Sequence, residues 1–284
     1  MYAHRSLENS IGAALQKFAK CCFALRCSAV QIEGVCVDIL LYLALGVAMG
    51  TLGGLFGIGG GLIAIPVLGL WFGLDQQLAQ GTALVMVVPN VVLALWRYHQ
   101  RNRIEPRHAL ALGAAGLVCA WVGSLVAVGL DATAMRWGFI VFLIVLAAFN
   151  AWRTFTAGAP PTATLRQPWP RLAALGGVSG ALGGFFGVGG AVVATPVLTG
   201  AFGTTQVVAQ GLSLALALPS TGITLVTYAL HGHVLWRMGV PMAIGGLASI
   251  SWSVRLAYAL PERTLRRAFC LFLVLCAVLL AFKA

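Results

Sequence analysis

Gly53-Gly-Leu-Phe-Gly-Ile-Gly-Gly60 returns later in the chain as Gly183-Gly-Phe-Phe-Gly-Val-Gly-Gly190, an offset of 183 − 53 = 130. The same offset lays Pro66-Val-Leu68 on Pro196-Val-Leu198, Phe72-Gly73 on Phe202-Gly203, Ala79-Gln-Gly81 on Ala209-Gln-Gly211 and Pro89 on Pro219, without a gap. Gly46, Gly50 and Gly54 fall on Gly176, Gly180 and Gly184, so the segment before each glycine cluster carries small residues at four-residue spacing, as close helix packing in a membrane requires. Agreement at so many positions marks an internal duplication.

Outward from the two clusters the chain is a series of apolar runs. They are Ile39–Phe56, Leu62–Phe72, Leu78–Trp96, Ala109–Leu130 and Trp137–Trp152, then Leu172–Phe186, Val192–Phe202, Val207–Leu230, Met238–Val254 and Ala268–Phe282. Several approach the roughly 20 residues that cross a hydrocarbon layer of about 30 Å. Leu62–Phe72 and Val192–Phe202 are about half that length, and each follows a glycine cluster able to break a helix in mid-membrane. They read as half-helices or re-entrant segments. The fold class expected is an all-α polytopic membrane protein of two homologous helical bundles with glycine-interrupted half-helices and about eight, alternatively about ten, transmembrane segments. Four crossings per half would make the repeat parallel and five would invert it; run length favours four.

Composition agrees. Of 284 residues, 60% are hydrophobic and 9% charged, and mean hydropathy is +0.93. A soluble globular enzyme would carry about a quarter charged residues. The net charge of +11 reflects Lys and Arg gathered in short connections, as the positive-inside bias places them, and excludes nucleic acid as the explanation. Seven cysteines, of which Cys119, Cys270 and Cys276 lie inside apolar runs while Cys21, Cys22, Cys27 and Cys36 crowd the N-terminal part, suggest neither a disulfide framework nor a zinc site. Residues 1–34 form an N-terminal extension, amphipathic or disordered: on a helix, Ile11, Leu15, Phe18, Cys22 and Leu25 share a side opposite Lys17 and Lys20. Residues 35–152 are then a first membrane repeat, 153–171 a linker with Gly158, Pro160, Pro161, Pro168 and Pro170, and 172–284 a second membrane repeat.

The chemistry expected is anion binding. Gly57, Gly59, Gly60 and Gly61, with Gly187, Gly189 and Gly190, leave backbone N–H groups uncovered, and a half-helix starting after each cluster points positive partial charge into the break. Gln80 and Gln210 hold equivalent positions, and each amide can donate two hydrogen bonds to an anion's oxygens. Thr82, Asn90, Ser213, Ser220 and Thr221 lie on the same segments and complete the candidate cage. The alternative is that the glycines allow close packing and the polar side chains bond helix to helix, at about 0.6–2 kcal/mol per contact. His231 and His233 are candidates for proton coupling, since histidine is the side chain that changes charge near neutral pH, against a plain helix-end loop. No Asp, Glu, Lys or Arg lies deep inside an apolar run, and no paired carboxylates, metal-ligand set or activated nucleophile is present. No catalytic residue, metal or cofactor is therefore expected, and the chain does not read as an enzyme. Trp96, Tyr98, Trp137, Trp152 and Trp236 read as interfacial anchors at run ends.

Gly57-Ile-Gly-Gly-Gly61 followed by Pro66, together with Ala79-Gln-Gly-Thr-Ala-Leu84 and their second copies, resembles the sulfite and sulfonate exporter family TauE/SafE over about residues 36–282. The resemblance implies a secondary transporter, an exporter of sulfite, sulfoacetate or other organosulfonates working by alternating access in the bacterial inner membrane. An anion channel or uniporter of the same fold, or a carrier of a non-sulfur carboxylate, is the alternative. The partners implied are a small anionic substrate and the lipid bilayer, with a homodimer left open. The sequence departs from the family's Gly-Thr-Ser-Leu pattern, reading Gly81-Thr-Ala-Leu84 in one half and Gly211-Leu-Ser-Leu214 in the other, so each half keeps one of the two hydroxyls.

Overall fold

A computed structural model describes residues 38–101, 106–156 and 169–281. The expected N-terminal extension and most of the expected linker lie outside the described residues. The contacts that follow concern the unit that begins at Tyr42.

Every regular element among the described residues is an α-helix. In the first half these are α1 (Asp38–Phe56), α2 (Gly61–Phe72), α3 (Gln76–Arg101), α4 (Pro106–Val128) and α5 (Ala132–Thr156). In the second they are α6 (Trp169–Phe186), α7 (Ala191–Gly200), α8 (Gln206–Leu230), α9 (Trp236–Ala259) and α10 (Glu262–Ala281). The 130-residue offset lays the second five on the first five nearly end for end. At 1.5 Å per residue, the 12 residues of α2 and the 10 of α7 extend only about 18 and 15 Å, too short to cross. Among the described residues, six helices are long and apolar enough to cross by length and composition, including α3, α4, α5, α8 and α9. Large apolar side chains such as Val118, Val122, Val141, Val145, Leu271 and Leu275 face outward along α4, α5 and α10, which only a hydrocarbon surrounding accommodates at this extent.

Contacts set the relative directions. Gly46 meets Met242 and Gly50 meets Gly246, rising together, so α1 and α9 run parallel. Val85 meets Gly239, Asn90 meets Gly246 and Arg97 bonds Ser251, so α3 runs parallel to both. In the other half Gly176, Gly180 and Gly184 meet Leu112, Gly116 and Ala120, and Ser124 bonds Thr227, so α4, α6 and α8 form a second parallel set. The two sets oppose each other: Gln80 near the start of α3 meets Tyr228 near the end of α8, and Tyr98 near the end of α3 meets Gln210 near the start of α8. The halves are therefore inverted about an axis perpendicular to the helices. Because α1 and α3 run the same way, α2 returns the chain to the side from which α1 came, and α7 does the same for α6. The repeat is therefore inverted, not the parallel arrangement that run lengths favoured, because the glycine-interrupted segment turns back instead of adding a single crossing.

The repeats also exchange their last two helices. Helix α9 of the second half packs on α1 and α3, and α4 of the first half packs on α6 and α8. Phe56 at the end of α1 stacks on Phe272 of α10 at 5.1 Å and touches Phe269; Phe186 at the end of α6 stacks on Phe142 of α5 at 4.6 Å and touches Phe139. Each packed bundle thus combines the first three helices of one repeat with the last two of the other. The glycine stripes make this exchange possible, since a Cβ at Gly50 would lie 2.5 Å from the Gly246 Cα.

Candidate functional site

Between α1 and α2 the chain turns through Gly57–Gly60. The Ile58 and Gly59 N–H groups both donate to the Gly53 carbonyl, at 3.0 and 3.3 Å, and the Val188 and Gly189 N–H groups repeat this on Gly183 at 3.1 and 3.3 Å. The residues that cap the short helices, Gly60 (φ 92°) and Gly190 (φ 48°), are left-handed, which favours glycine, and neither helix has a side-chain cap. In α2 the first N–H groups to find carbonyls are those of Ile63 and Ala64, on Gly60, so those of Gly61 and Leu62 precede the helical ladder. In α7 the Val193 and Ala194 N–H groups bond Gly190, while that of Ala191 turns back to Gly189.

Both turns lie at the middle of the fold. Gly59 and Gly61 meet Val87 and Val91, which flank Pro89 halfway along α3. The turns also approach each other: a Cβ placed on Gly61 would sit 3.9 Å from the Gly187 carbonyl oxygen. Two buried helix N-termini, entering from opposite sides and uncapped by any side chain, therefore converge. Each carries roughly half a positive charge. Among the described residues no charged side chain is buried, so the field here comes from backbone and neutral polar groups.

Against each turn lies a glutamine from the other half. A Cβ on Gly57 would be 2.7 Å from the Gln210 Cβ, and one on Gly187 would be 3.0 Å from the Gln80 Cβ. Each glutamine is held by a tyrosine. The Tyr98 hydroxyl donates to Gln210 Oε1 at 2.8 Å, with the Gly54 carbonyl also in reach at 3.2 Å, and the Tyr228 hydroxyl donates to Gln80 Oε1 at 2.8 Å. All four side chains are fully buried. The pairs differ in one respect: Gln210 Nε2 donates to the Leu55 carbonyl at 3.2 Å, whereas Gln80 Nε2 is buried without a partner.

The other candidates occupy varied places. Ser213 is fully buried and its hydroxyl has no partner. Asn90 reaches the Gly59 carbonyl at 3.5 Å and leaves its Oδ1 unbonded. The Thr82 hydroxyl accepts the Leu235 N–H at 3.0 Å, tying the connection before α9 to α3. Ser220 and Thr221 donate to carbonyls four residues back, at 2.6 and 2.7 Å, and the Thr221 methyl packs on Gly189. Gly60 and Gly190 lie against the carbonyls of Met49 and Ser179. His231 is exposed and its Nδ1 sits 2.8 Å from the Thr227 carbonyl. The His233 ring packs edge-on to Tyr228, 6.4 Å between centroids, bringing it one residue away from Gln80.

Tyr98 corrects an expectation. It is not an interfacial anchor but a fully buried partner of Gln210. It and Tyr228 were missed as site residues, although the 130-residue offset that relates Gln80 to Gln210 also relates the two tyrosines.

Comparison with known proteins adds an identity to this geometry. The profile of the family described as "Sulfite exporter TauE/SafE" matches residues 42–280. A "probable membrane transporter protein" of Methanocaldococcus jannaschii is 27% identical over 234 residues, covering 78% of this chain and 86% of its own length. Another of that description, from Xylella fastidiosa strain 9a5c, is 27% identical over 245 residues, covering 84% and 92%. "Sulfite exporter TauE/SafE family protein 3" of Arabidopsis thaliana is 30% identical over 112 residues, 39% of this chain and 23% of that protein. No solved structure is significantly similar. An inverted, glycine-interrupted helical repeat embedded in the bilayer and a family match along nearly all of it lead to one conclusion: the chain belongs to the TauE/SafE family of membrane transporters.

Proposed function

We propose that the protein is a secondary carrier of small sulfur-containing anions, sulfite or an organosulfonate such as sulfoacetate, exporting them across a bacterial inner membrane by alternating access. The observation that carries this reading is the convergence of two buried, uncapped helix N-termini beside the unpaired amide of Gln80. Free N–H groups and a spare amide donor suit an oxyanion. Among the described residues no cation is buried, so the anion is held by dipoles, a weak enough hold for release on either side.

The Tyr–Gln pairs suit the role of latches. Gln80–Tyr228 lies on one side of the α3/α8 crossing and Tyr98–Gln210 on the other, and both are closed. Separating the exchanged bundles on one side breaks one pair and leaves the other. Inverted repeats make the two openings equivalent in form. The sulfur assignment rests on the description of the family as sulfite exporters and on the same description of one relative.

The test is flux in proteoliposomes for sulfite, sulfoacetate, sulfate and a non-sulfur carboxylate, each with and without a pH gradient. Saturable flux of a sulfur anion is expected. Flux of the carboxylate alone would remove the sulfur assignment, and conductance without saturation would make the protein a channel.

A further inference from the structure

The inverted symmetry is also broken on the outer surface where α3 and α9 meet. A groove of about 520 Å³ opens there toward the lipid, lined by Val88, Pro89, Val92, Leu93, Trp96 and Leu247. Its walls are wholly apolar. At its end the Arg97 guanidinium lies over the Trp96 ring, 4.8 Å from the centroid, and Arg97 Nε donates to Ser251 Oγ at 3.2 Å. These two contacts fix the cation above the groove, and among the described residues no carboxylate pairs with it. The second repeat keeps apolar residues along the equivalent surface but not the cation or its supports. Its equivalents of Trp96, Arg97 and Ser251 are Val226, Thr227 and Trp121, and the Thr227 hydroxyl is spent on the Ile223 carbonyl and Ser124. A device present on one side only is not required by the symmetric site at the centre.

We infer that this groove binds an anionic phospholipid, one acyl chain lying along Val88–Leu93 and Leu247 and the phosphate on Arg97. Charge complementarity selects the occupant. An acyl chain alone would be indifferent to the arginine, and a second protein copy would need a carboxylate or aromatic face to meet it. A planar guanidinium held by stacking and by its Nε still presents its terminal N–H groups as a fork to phosphate oxygens. The bound lipid would tie α3 to α9, two helices of one exchanged bundle, and so brace that bundle as a body.

Native mass spectrometry of the detergent-purified protein, with phosphatidylglycerol and phosphatidylcholine supplied in equal amounts, tests this. The wild type should retain phosphatidylglycerol preferentially, and Arg97→Gln should reduce that retention about fivefold, the worth of one basic side chain at a membrane surface. Arg107→Gln, away from the groove, should leave it unchanged. Val92→Trp fills an exposed, lipid-facing part of the groove without touching Arg97 and should lower retention as well. Equal retention of the two lipids by the wild type, or equal effects of Arg97→Gln and Arg107→Gln, would overturn the inference. So would a disulfide between two copies through Val92→Cys in native membranes, which would give the groove to a second chain.

Discussion

Gln80 and Gln210 occupy equivalent positions but unequal circumstances, and the inequality yields two predictions. Gln80→Ala removes one bond from Tyr228 and an amide nitrogen that bonds nothing in the protein, whereas Gln210→Ala removes bonds to both Tyr98 and Leu55. If the spare amide serves the anion, Gln80→Ala should raise the KM for the transported anion about 10- to 100-fold, the worth of a hydrogen bond to a charged group. It should lower the melting temperature less than Gln210→Ala does. An unchanged KM with a lower melting temperature would make Gln80 a packing residue. The tyrosines extend the argument: Tyr228→Phe weakens the latch on one side and Tyr98→Phe the latch on the other. Distances between spin labels on α3 and α8 should then widen at opposite ends in the two variants, and identical distances in both would remove the latches. The glutamines and glycines were legible in the sequence because a polar residue or a glycine cluster inside an apolar run is conspicuous. The tyrosines were not, because a tyrosine near a run end looks the same whether it points to a headgroup or to the core, and only the 130-residue offset separates those cases.

At the scale of the helix, small residues decide what packs on what. A side chain at Gly50 or Gly180 would meet backbone, the Gly246 Cα and the Gly116 Cα respectively, each at 2.5 Å, and backbone cannot yield as a flexible side chain does. Gly50→Val and Gly180→Val should each cost about 1–3 kcal/mol or more in thermal melting, as overpacked contacts do. Gly222→Ala on α8 is the control, because nothing lies within 4 Å of the added Cβ. Equal melting of all three would mean that the stripes do not hold the bundles together. The stripes themselves were plain from the four-residue spacing. Their partners were not: an internal offset says that two segments are alike, but not that α9 packs against the first repeat and α4 against the second. That exchange depends on the short helices. Each of α2 and α7 starts at mid-depth and runs back to the side from which the preceding helix came, leaving the space that the other repeat's last helices fill.

Over the whole molecule, the inverted repeat assigns sides. The α3/α4 connection, the segment between α5 and α6 and the α9/α10 connection share one side, and these carry Arg101, Arg103 and Arg107, Arg153, Arg166 and Arg171, and Arg255, Arg263, Arg266 and Arg267. The positive-inside bias makes that side cytoplasmic. Gly129 and Ala259, equivalent by the offset and both exposed, then lie on opposite sides. In a variant lacking the native cysteines, an impermeant thiol reagent added outside intact cells should label Gly129→Cys and spare Ala259→Cys. Labelling of both from one side would require a parallel repeat. Charge alone could not decide this from the sequence, because the N-terminal segment and the Arg255–Arg267 connection carry four basic residues each and only the direction of α3 against α8 breaks the tie. The central claim is that the two glycine turns and Gln80 form one anion site, and it is tested most directly by anomalous diffraction from crystals soaked with a selenium analogue of the transported anion. The account predicts a selenium peak between the Gly57–Gly61 and Gly187–Gly190 turns, with anion oxygens within hydrogen-bond distance of Gln80 Nε2. A peak elsewhere in the membrane region, with that space empty, would contradict it.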